Sequence, residues 1–317
     1  MYEIIVNPKA RTGQGGTLRQ KLEVELKKRK IEYKIYFTNA RKHAEKLTAE
    51  ITGDGKEHIL LVLGGDGTLN EVVNGIHDVS KVTLGYIPVG SGNDFARGMG
   101  LAKESINTID QILDMKQVQE INVGVAEQGG WSRRFLVSSG IGFDAAVCHE
   151  VCVSKWKVIL NRLKLGRLSY AVVALDRLRK DKPVRMELQK EDGSWQEYPK
   201  TYFAAFMNLP YEGGGFKFCP DASPSDDLLD IMVISGLTKF KILCLLPTAF
   251  VGKHLLFRGV HILKAKEVRV KTDQVLPIHT DGEPAFLRKE IHVSLLEKKM
   301  KVIMTEQTEK SSYFRRL

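Results

Sequence analysis

Disulfide chemistry is scarcely available to this chain. Only four cysteines occur in 317 residues, Cys148, Cys152, Cys219 and Cys244, with no disulfide framework in their spacing, so a reducing cytoplasm is the simple inference. A membrane-spanning run is lacking too: the apolar stretch Ile242-Leu243-Cys244-Leu245-Leu246 is interrupted at Pro247. The first residues, Met1-Tyr2-Glu3-Ile4-Ile5-Val6, lack the basic-then-apolar build of a signal peptide and read as a strand. No zinc-finger, helix-turn-helix or RNA-binding spacing emerges, which argues against nucleic acid as a partner. Acid is in short supply as well, 38 Asp and Glu against 48 Lys and Arg, a formal net charge of +10. Such an excess suits an anionic partner (nucleotide, nucleic acid or an acidic membrane face), and composition does not choose among them.

What is present is globular, with 43% apolar and 27% charged residues and length enough for two cores. The first third alternates strand-like and helix-like segments. Strands are expected at 2–7, 33–38, 59–63 and 82–88, and helices at 40–51 and 68–76. Another helix has Leu18, Leu22 and Leu26 on one face. This alternation predicts an α/β domain with a parallel sheet covered on both faces. From about Glu120 strands crowd together, at 121–126, 135–139, 184–189, 202–207, 229–234, 268–271 and 291–296. Helices are fewer there, around 156–163, 169–179 and 239–246. The reading is an α/β domain over 1–120, a β-rich substrate domain over 121–299, and a 300–317 segment packing back on the first. A substrate site between the two follows. The polar, basic tail 310–317 is expected to fray.

Four constellations carry chemistry. The apolar run 59–62 leads into Leu63-Gly64-Gly65-Asp66-Gly67-Thr68, a tight turn with one carboxylate and one hydroxyl before a helix start. Glycines let backbone approach phosphate, helix N-termini favour anions, and a carboxylate there can hold a metal on the phosphates. A second strand end, Pro88, precedes Gly90-Ser91-Gly92-Asn93-Asp94-Phe95-Ala96-Arg97. Ser91 and nearby amides can donate to phosphate, and Asn93 and Asp94 can cap the following helix. Two glycine-flanked strand ends in one sheet suggest a shared cleft. Third comes His279-Thr280-Asp281-Gly282-Glu283-Pro284, whose carboxylates can converge on one proton or metal, although Asp-Gly is also an ordinary turn signal. Fourth, the acidic loop from Asp221 to Asp230 offers hard-cation ligands or is simply solvated.

Other features point less far. Thr12-Gly13-Gln14-Gly15-Gly16 lacks the Lys of a P-loop and the third glycine of a dinucleotide fingerprint. Cys148-His149 and Cys152 have no second pair at zinc spacing and read as buried or idle thiols. The stretch 155–167 is basic without acid, and Trp156, Ile159, Leu160 and Leu163 fall on one helical face. It is either an interfacial helix on anionic lipid or an amphipathic helix packed on the core.

Together, Gly64-Gly65-Asp66-Gly67-Thr68-Leu69-Asn70-Glu71, Gly90-Ser91-Gly92-Asn93-Asp94-Phe95-Ala96-Arg97 and Asp281-Gly282-Glu283-Pro284 resemble the diacylglycerol kinase catalytic-domain family of lipid kinases, in its small soluble bacterial form. Asn7-Pro8-Lys9-Ala10-Arg11-Thr12-Gly13 resembles that family's N-terminal motif, with Arg11 where many members have Gly. The resemblance runs in order along nearly the whole chain. It implies an NAD-kinase/phosphofructokinase-like first domain and ATP-dependent phosphoryl transfer to a lipid hydroxyl. Asn7, Pro8, Lys9, Ala10, Arg11, Thr38, Gly64, Gly65, Asp66, Gly67, Thr68, Leu69, Asn70 and Ser91 would surround ATP. Asp66 would hold catalytic Mg2+, Glu283 would be the general base, and Asp281 would support it or touch metal. A second, structural Mg2+ would use Asp226 and the carbonyls of Ser223 and Leu228, with Asp227 standing where relatives usually have Gly. The acceptor would be a lipid alcohol, diacylglycerol first, with sphingoid bases and ceramide as alternatives. A cytoplasmic protein held peripherally at an anionic membrane face is expected, and a homodimer is compatible with the family. The rival readings are a kinase of a soluble acceptor, such as NAD kinase, and a catalytically silent nucleotide- or lipid-binding regulator.

Overall fold

The computed structural model describes residues 1–10, 14–102, 106–153 and 166–305. Arg11, most of the basic helix expected at 155–167 and the tail 310–317 lie outside the described residues.

Along the first half run β1 (Tyr2–Val6), α1 (Gln14–Lys28), β2 (Tyr33–Phe37), α2 (His43–Thr52), β3 (His58–Gly64), α3 (Asp66–Gly75), β4 (Val82–Pro88), α4 (Asp94–Gly98), α5 (Ile106–Asp114) and β5 (Val118–Ile121). Next come β6 (Gly124–Gln128), β7 (Trp131–Phe135), β8 (Ser138–Gly142), α6 (Phe143–Val153), α7 (Gly166–Lys180), β9 (Val184–Gln189) and β10 (Trp195–Met207). The chain closes with β11 (Leu229–Ser235), α8 (Lys239–Ala249), β12 (Val260–Ala265), β13 (Glu267–Thr280), β14 (Glu283–Leu295) and β15 (Met300–Ile303).

The first sheet has the order β2-β1-β3-β4-β15-β5, parallel from β2 to β15 and antiparallel only at β5. Successive side chains point to opposite faces, so each strand feeds two cores. Leu60, Val62, Leu84 and Tyr86 pack beneath Leu69, Val72 and Val73 of α3. On the other face Leu61, Leu63 and Ile87 meet Leu18, Leu22 and Leu26 of α1 and Ile109 and Ile112 of α5. The insertion of β15 beside β4 returns residues 300–303 to this sheet. The second sheet has nine strands, β12-β11-β10-β8-β13-β14-β6-β7, with β9 pairing both β10 and β13. All its pairings are antiparallel. The architecture is therefore a parallel-sheet α/β domain followed by a β-rich one.

Two expected strands are instead broken in the middle. The apolar run at 121–126 divides between the two sheets, because the Asn122 amide turns away to donate to the Pro224 carbonyl (2.6 Å). The run at 135–139 breaks between β7 and β8, where the amides of Leu136, Val137 and Ser138 point at the Asp281 carboxylate. Helix α8 also continues through Pro247 to Ala249, held by the burial of Ile242, Leu245 and Ala249. Proline in the last turn forfeits one backbone bond without stopping the helix.

Candidate active site

Strands β3 and β4 are parallel neighbours in register, Gly64 opposite Pro88, so both glycine loops leave the same sheet edge. They pack backbone to backbone: a Cβ on Gly90 would stand 2.8 Å from the Gly65 Cα. Gly64 is needed for another reason, since its Cβ would stand 2.7 Å from that of Thr68. The Thr68 hydroxyl accepts a hydrogen bond from the Asn7 side chain (3.0 Å), and Asn7 Oδ1 accepts from the Lys9 amide (3.1 Å). Asn7 thus ties the end of β1 to the first turn of α3. Pro8 and Lys9 are exposed, Ala10 is half-buried, and Thr38, at the end of β2, is bonded through its amide to Val6. Leu69 lies in the core and Asn70 is fully buried, so neither presents its side chain to an open cleft.

Asp66 is the first residue of α3, two positions earlier than the expected helix start. Its carboxylate accepts hydrogen bonds from the Asp94 amide (3.1 Å) and the Phe95 amide (3.3 Å), the opening N–H groups of α4. The cap of α4 therefore comes from the other glycine loop. The expected caps do something else: Asn93, in the left-handed region at φ 53, turns its side chain back onto Gly90, donating to the carbonyl (3.0 Å) and accepting from the amide (2.9 Å). Asp94 pairs with Arg97 and accepts from the Gly214 amide (2.7 Å). Burial, reinforced by the charge of Asp94, pushes the Asp66 carboxyl up to about 7 against the pull of the two amides.

Opposite stands the β13–β14 hairpin. Asp281 and Gly282 form its two-residue turn, both with positive φ (50° and 75°), and Thr280 pairs with Glu283. The Asp281 carboxylate accepts from the amides of Leu136, Val137 (2.8 Å) and Ser138 (3.1 Å) and from the Asn70 side chain (2.8 Å). With those bonds its acceptor positions are spent, which makes it a clamp between α3, the β7–β8 break and the hairpin. Burial raises its pKa although these bonds oppose the rise. Asn70 extends the clamp by accepting from Arg133 Nε (3.0 Å) and Nη2 (2.6 Å).

Glu283 is held differently. Its Oε2 pairs with Arg41 (2.8 Å), and its Oε1 would lie 2.7 Å from a Cβ built on Gly67. Asp66, Gly67, Ser91, Gly92, Asp281 and Glu283 share one polar pocket of about 210 Å³. Next to it opens an apolar pocket of about 320 Å³ walled by Phe143, Val147, Phe203, Phe216 and Leu245, among others, and Cys148 lines both.

At this junction lies a cluster with no sequence signal. The ligand atoms of Asp144, Cys148, Glu212 and His279 all fall within 4.8 Å of one another. His279 Nε2 is 2.7 Å from Asp144 Oδ2 and 3.0 Å from Glu212 Oε1. Gly140 makes room for the meeting, since its Cβ would stand 2.4 Å from Asp144 and 2.5 Å from His279. The donor set invites a metal, but the ring does not fit one. The Gly282 amide donates to Nδ1 (3.1 Å), so the ring proton sits on Nε2 and leaves no lone pair to ligate. Burial disfavours charge on the ring, Glu212 and Asp144 favour it and raise its pKa, and the Gly282 amide, which needs Nδ1 bare, opposes the second proton. Burial and the charge of Asp144 push Glu212 up to about 7. Cys148 is a buried thiol on α6, as expected, and His149 bonds the Ile278 carbonyl (2.9 Å).

In the acidic loop the expected cation ligand Asp226 is engaged by the protein itself. Asp226 accepts from the Leu228 amide (3.2 Å) and lies 3.5 Å from the Lys264 ammonium, which is 3.1 Å from Asp230. Ser223 faces Ser225 (3.4 Å). Asp227 adopts φ 62, keeping the turn a glycine would make, and pairs with Lys299 (2.7 Å) and Asn122 (2.8 Å). Lysine ammonium groups supply the positive charge there.

An α/β domain with phosphate-type glycine loops, faced by a carboxylate from a β-rich domain, defines a two-domain kinase. Residues 2–126 match the family model of the diacylglycerol kinase catalytic domain, and residues 137–294 that of the YegS C-terminal NAD kinase beta sandwich-like domain. The chain is 34% identical to the Bacillus subtilis protein named "Putative lipid kinase YtlR", over 88% of this chain and 92% of that one. It is 28% identical to a diacylglycerol kinase of the same organism, covering 80% and 82% of the two chains. A solved structure titled "A putative diacylglycerol kinase from Bacillus anthracis str. Sterne" superposes with TM-score 0.74 at 25% identity, over 96% of this chain and 97% of that one. The chain belongs to the lipid kinase family built on the diacylglycerol kinase catalytic domain.

Proposed function

We propose that the protein transfers the γ-phosphate of ATP to the hydroxyl of a lipid alcohol, diacylglycerol first, giving phosphatidic acid at an anionic membrane face. One observation carries the reading: Glu283 faces the Gly67 loop in a polar pocket that abuts an apolar one, so a proton acceptor, a phosphate cradle and room for an acyl chain meet at one place. The opening amides of α3, with Gly64, Gly65, Ser91 and the strand ends at Asn7–Ala10 and Thr38, surround the triphosphate, while Leu69, whose amide already donates to the Gly65 carbonyl (3.1 Å), and buried Asn70 support the loop from behind. The lipid oxygen attacks the γ-phosphorus, its proton passes to Glu283, and the bond to the β,γ-bridging oxygen breaks to release ADP. Phosphoryl transfer needs positioning and charge neutralisation above all. A carboxylate raised to about 7 by burial and a neighbouring charge is relieved by a cation, so Asp66 fits Mg2+, which would neutralise the phosphate oxygens. Asp281 positions Glu283 by fixing the turn between them. The test is labelled ATP offered with detergent-dispersed diacylglycerol, with NAD, or with no acceptor. Label in phosphatidic acid supports the proposal; label in NADP, or in neither product, overturns it.

The cluster at the pocket junction favours a second reading of the acceptor. Glu212 is 4% exposed and borders the polar pocket; His279 Nε2, 3.0 Å from its Oε1, is shared with Asp144, which leaves acceptor positions on the Glu212 carboxylate for further donors. An acceptor with an amino group beside its hydroxyl, as in a sphingoid base, would bring those donors and a compensating charge. Competition between diacylglycerol and a long-chain amino alcohol decides it: preference for the amino alcohol that disappears in Glu212→Gln supports this reading, and equal use by both forms removes it.

A further inference from the structure

Between Asp230 and Glu267 the chain contains no acidic residue, while it carries Lys239, Lys241, Lys253, Arg258, Lys264 and Lys266. This stretch includes α8 and the 3-10 turn Lys253–Leu256. Helix α8 buries Ile242, Leu245 and Ala249, yet its outer side is also apolar. Phe240 is 73% exposed, and beyond the helix Val251 is 65% and Leu256 82% exposed. The turn is anchored by His254, whose Nε2 bonds the Phe218 carbonyl (2.8 Å), so Leu256 is held outward on a fixed support. Leu243, Phe250 and Leu175 are exposed and also wall the apolar pocket, which places this surface at the pocket mouth. On the neighbouring helix Asp176 and Asp181 are each tied to a base, Lys180 (2.5 Å) and Arg177 (2.7 Å).

A soluble surface rarely keeps so many large apolar side chains in one patch without a partner to cover them. Apolar side chains with lysine and arginine interspersed match the interface of an anionic bilayer. A two-fold contact with a second copy would set this acid-free patch against itself and bring like charges together. We propose that α8 and the turn after it form the membrane-docking face, with Phe240, Val251 and Leu256 entering the acyl boundary and Lys241, Lys253 and Arg258 meeting anionic headgroups. The apolar pocket then opens toward the bilayer, and an acceptor reaches it without crossing water. The inference rests on the lipid-kinase reading for its meaning, and its test is separable from that reading.

The full chain is sedimented with vesicles of phosphatidylcholine containing phosphatidylglycerol, beside two variants, Phe240→Ser/Leu256→Ser and Lys241→Gln/Lys253→Gln/Arg258→Gln. None of these residues walls the pocket, so phosphorylation of acceptor dispersed in detergent is expected to be unchanged. Vesicle partitioning is expected to fall about ten-fold or more in each variant. Partitioning that stays at the parent level in both variants overturns the docking face, whatever the kinase activity. Variants that turn a dimer into a monomer without altering vesicle binding overturn it too, by assigning the patch to self-association. Vesicle binding that depends on these residues, in a protein that phosphorylates no lipid, would uphold the face and remove only the kinase reading.

Discussion

The Glu283 carboxylate lies directly over Gly67, so that a Cβ built there would stand 2.7 Å from Oε1. Gly67 belongs to the first turn of α3 and Glu283 opens β14, so the two domains meet at the proposed proton acceptor. The contact explains a glycine whose own backbone does not require one, and it yields a test in which stability and rate part company. Gly67→Ala should leave the melting temperature unchanged or slightly higher, alanine being the better helix former. The same change should displace Glu283 and lower kcat by roughly ten-fold or more, since small misplacements at a reacting centre are costly. Calorimetry and steady-state kinetics on one preparation check both.

Asp66 has two duties that one substitution exposes together. As a proposed Mg2+ holder its loss should abolish turnover, and as the acceptor for the opening amides of α4 its loss should weaken the fold. Asp66→Ala is expected to be inactive and, near pH 4, where the raised carboxyl is protonated and carries no charge-burial penalty, destabilised by about 1 kcal/mol, the usual value of a helix cap. Urea unfolding at that pH measures the second effect independently of any nucleotide. An Asp66→Ala protein as stable as the parent would mean the cap is dispensable.

Glu212 makes stability depend on pH in an unusual sense. Its pKa rises from 4.5 unfolded to about 7 folded, so between those values the folded chain binds more protons than the unfolded one. Stability must then fall as pH rises through this window, and Glu212 contributes fully only below it. Glu212→Gln should therefore melt at a higher temperature than the parent at pH 8, with the difference shrinking toward pH 5. Thermal unfolding at the two pH values checks it, and a difference that widens on acidification would contradict it.

Lys264 carries the charge balance of the acidic loop through Asp226 and Asp230. A chelator should leave the melting temperature of the parent unchanged. Lys264→Ala should lower it, because Asp230 is buried and loses its compensating charge. Millimolar Mg2+ should restore part of the loss in the variant only. A parent that melts lower in chelator would show that the loop holds a metal after all.

Legibility in the sequence followed chain distance. Both glycine loops and the Asp281-Gly282 turn were readable because each is a local device, with the strand end, the glycine and the polar residue lying within a few positions. The breaks after Ile121 and Phe135 were hidden, since the apolar runs continue unbroken while the amides turn to Pro224 and to Asp281. Capping of α4 by Asn93 followed a sound local rule that a carboxylate from another loop overrides. Cys148 is the buried helical thiol its sequence context suggests, but its proximity to Glu212 and His279 is not legible locally, because those residues come from elements far along the chain, brought together over Gly140. Arg41 beside Glu283 gave no signal either, being one base among many in a basic chain.

The central claim is that Glu283 takes the proton of an attacking lipid hydroxyl, and single-turnover phosphoryl transfer by Glu283→Gln tests it most directly. With diacylglycerol in detergent and labelled ATP, the rate of phosphatidic acid formation should fall by about 10²–10⁴-fold, the usual worth of a general base. ATP affinity and melting temperature should stay at their parent values. A Glu283→Gln protein that forms product at the parent rate would contradict the account.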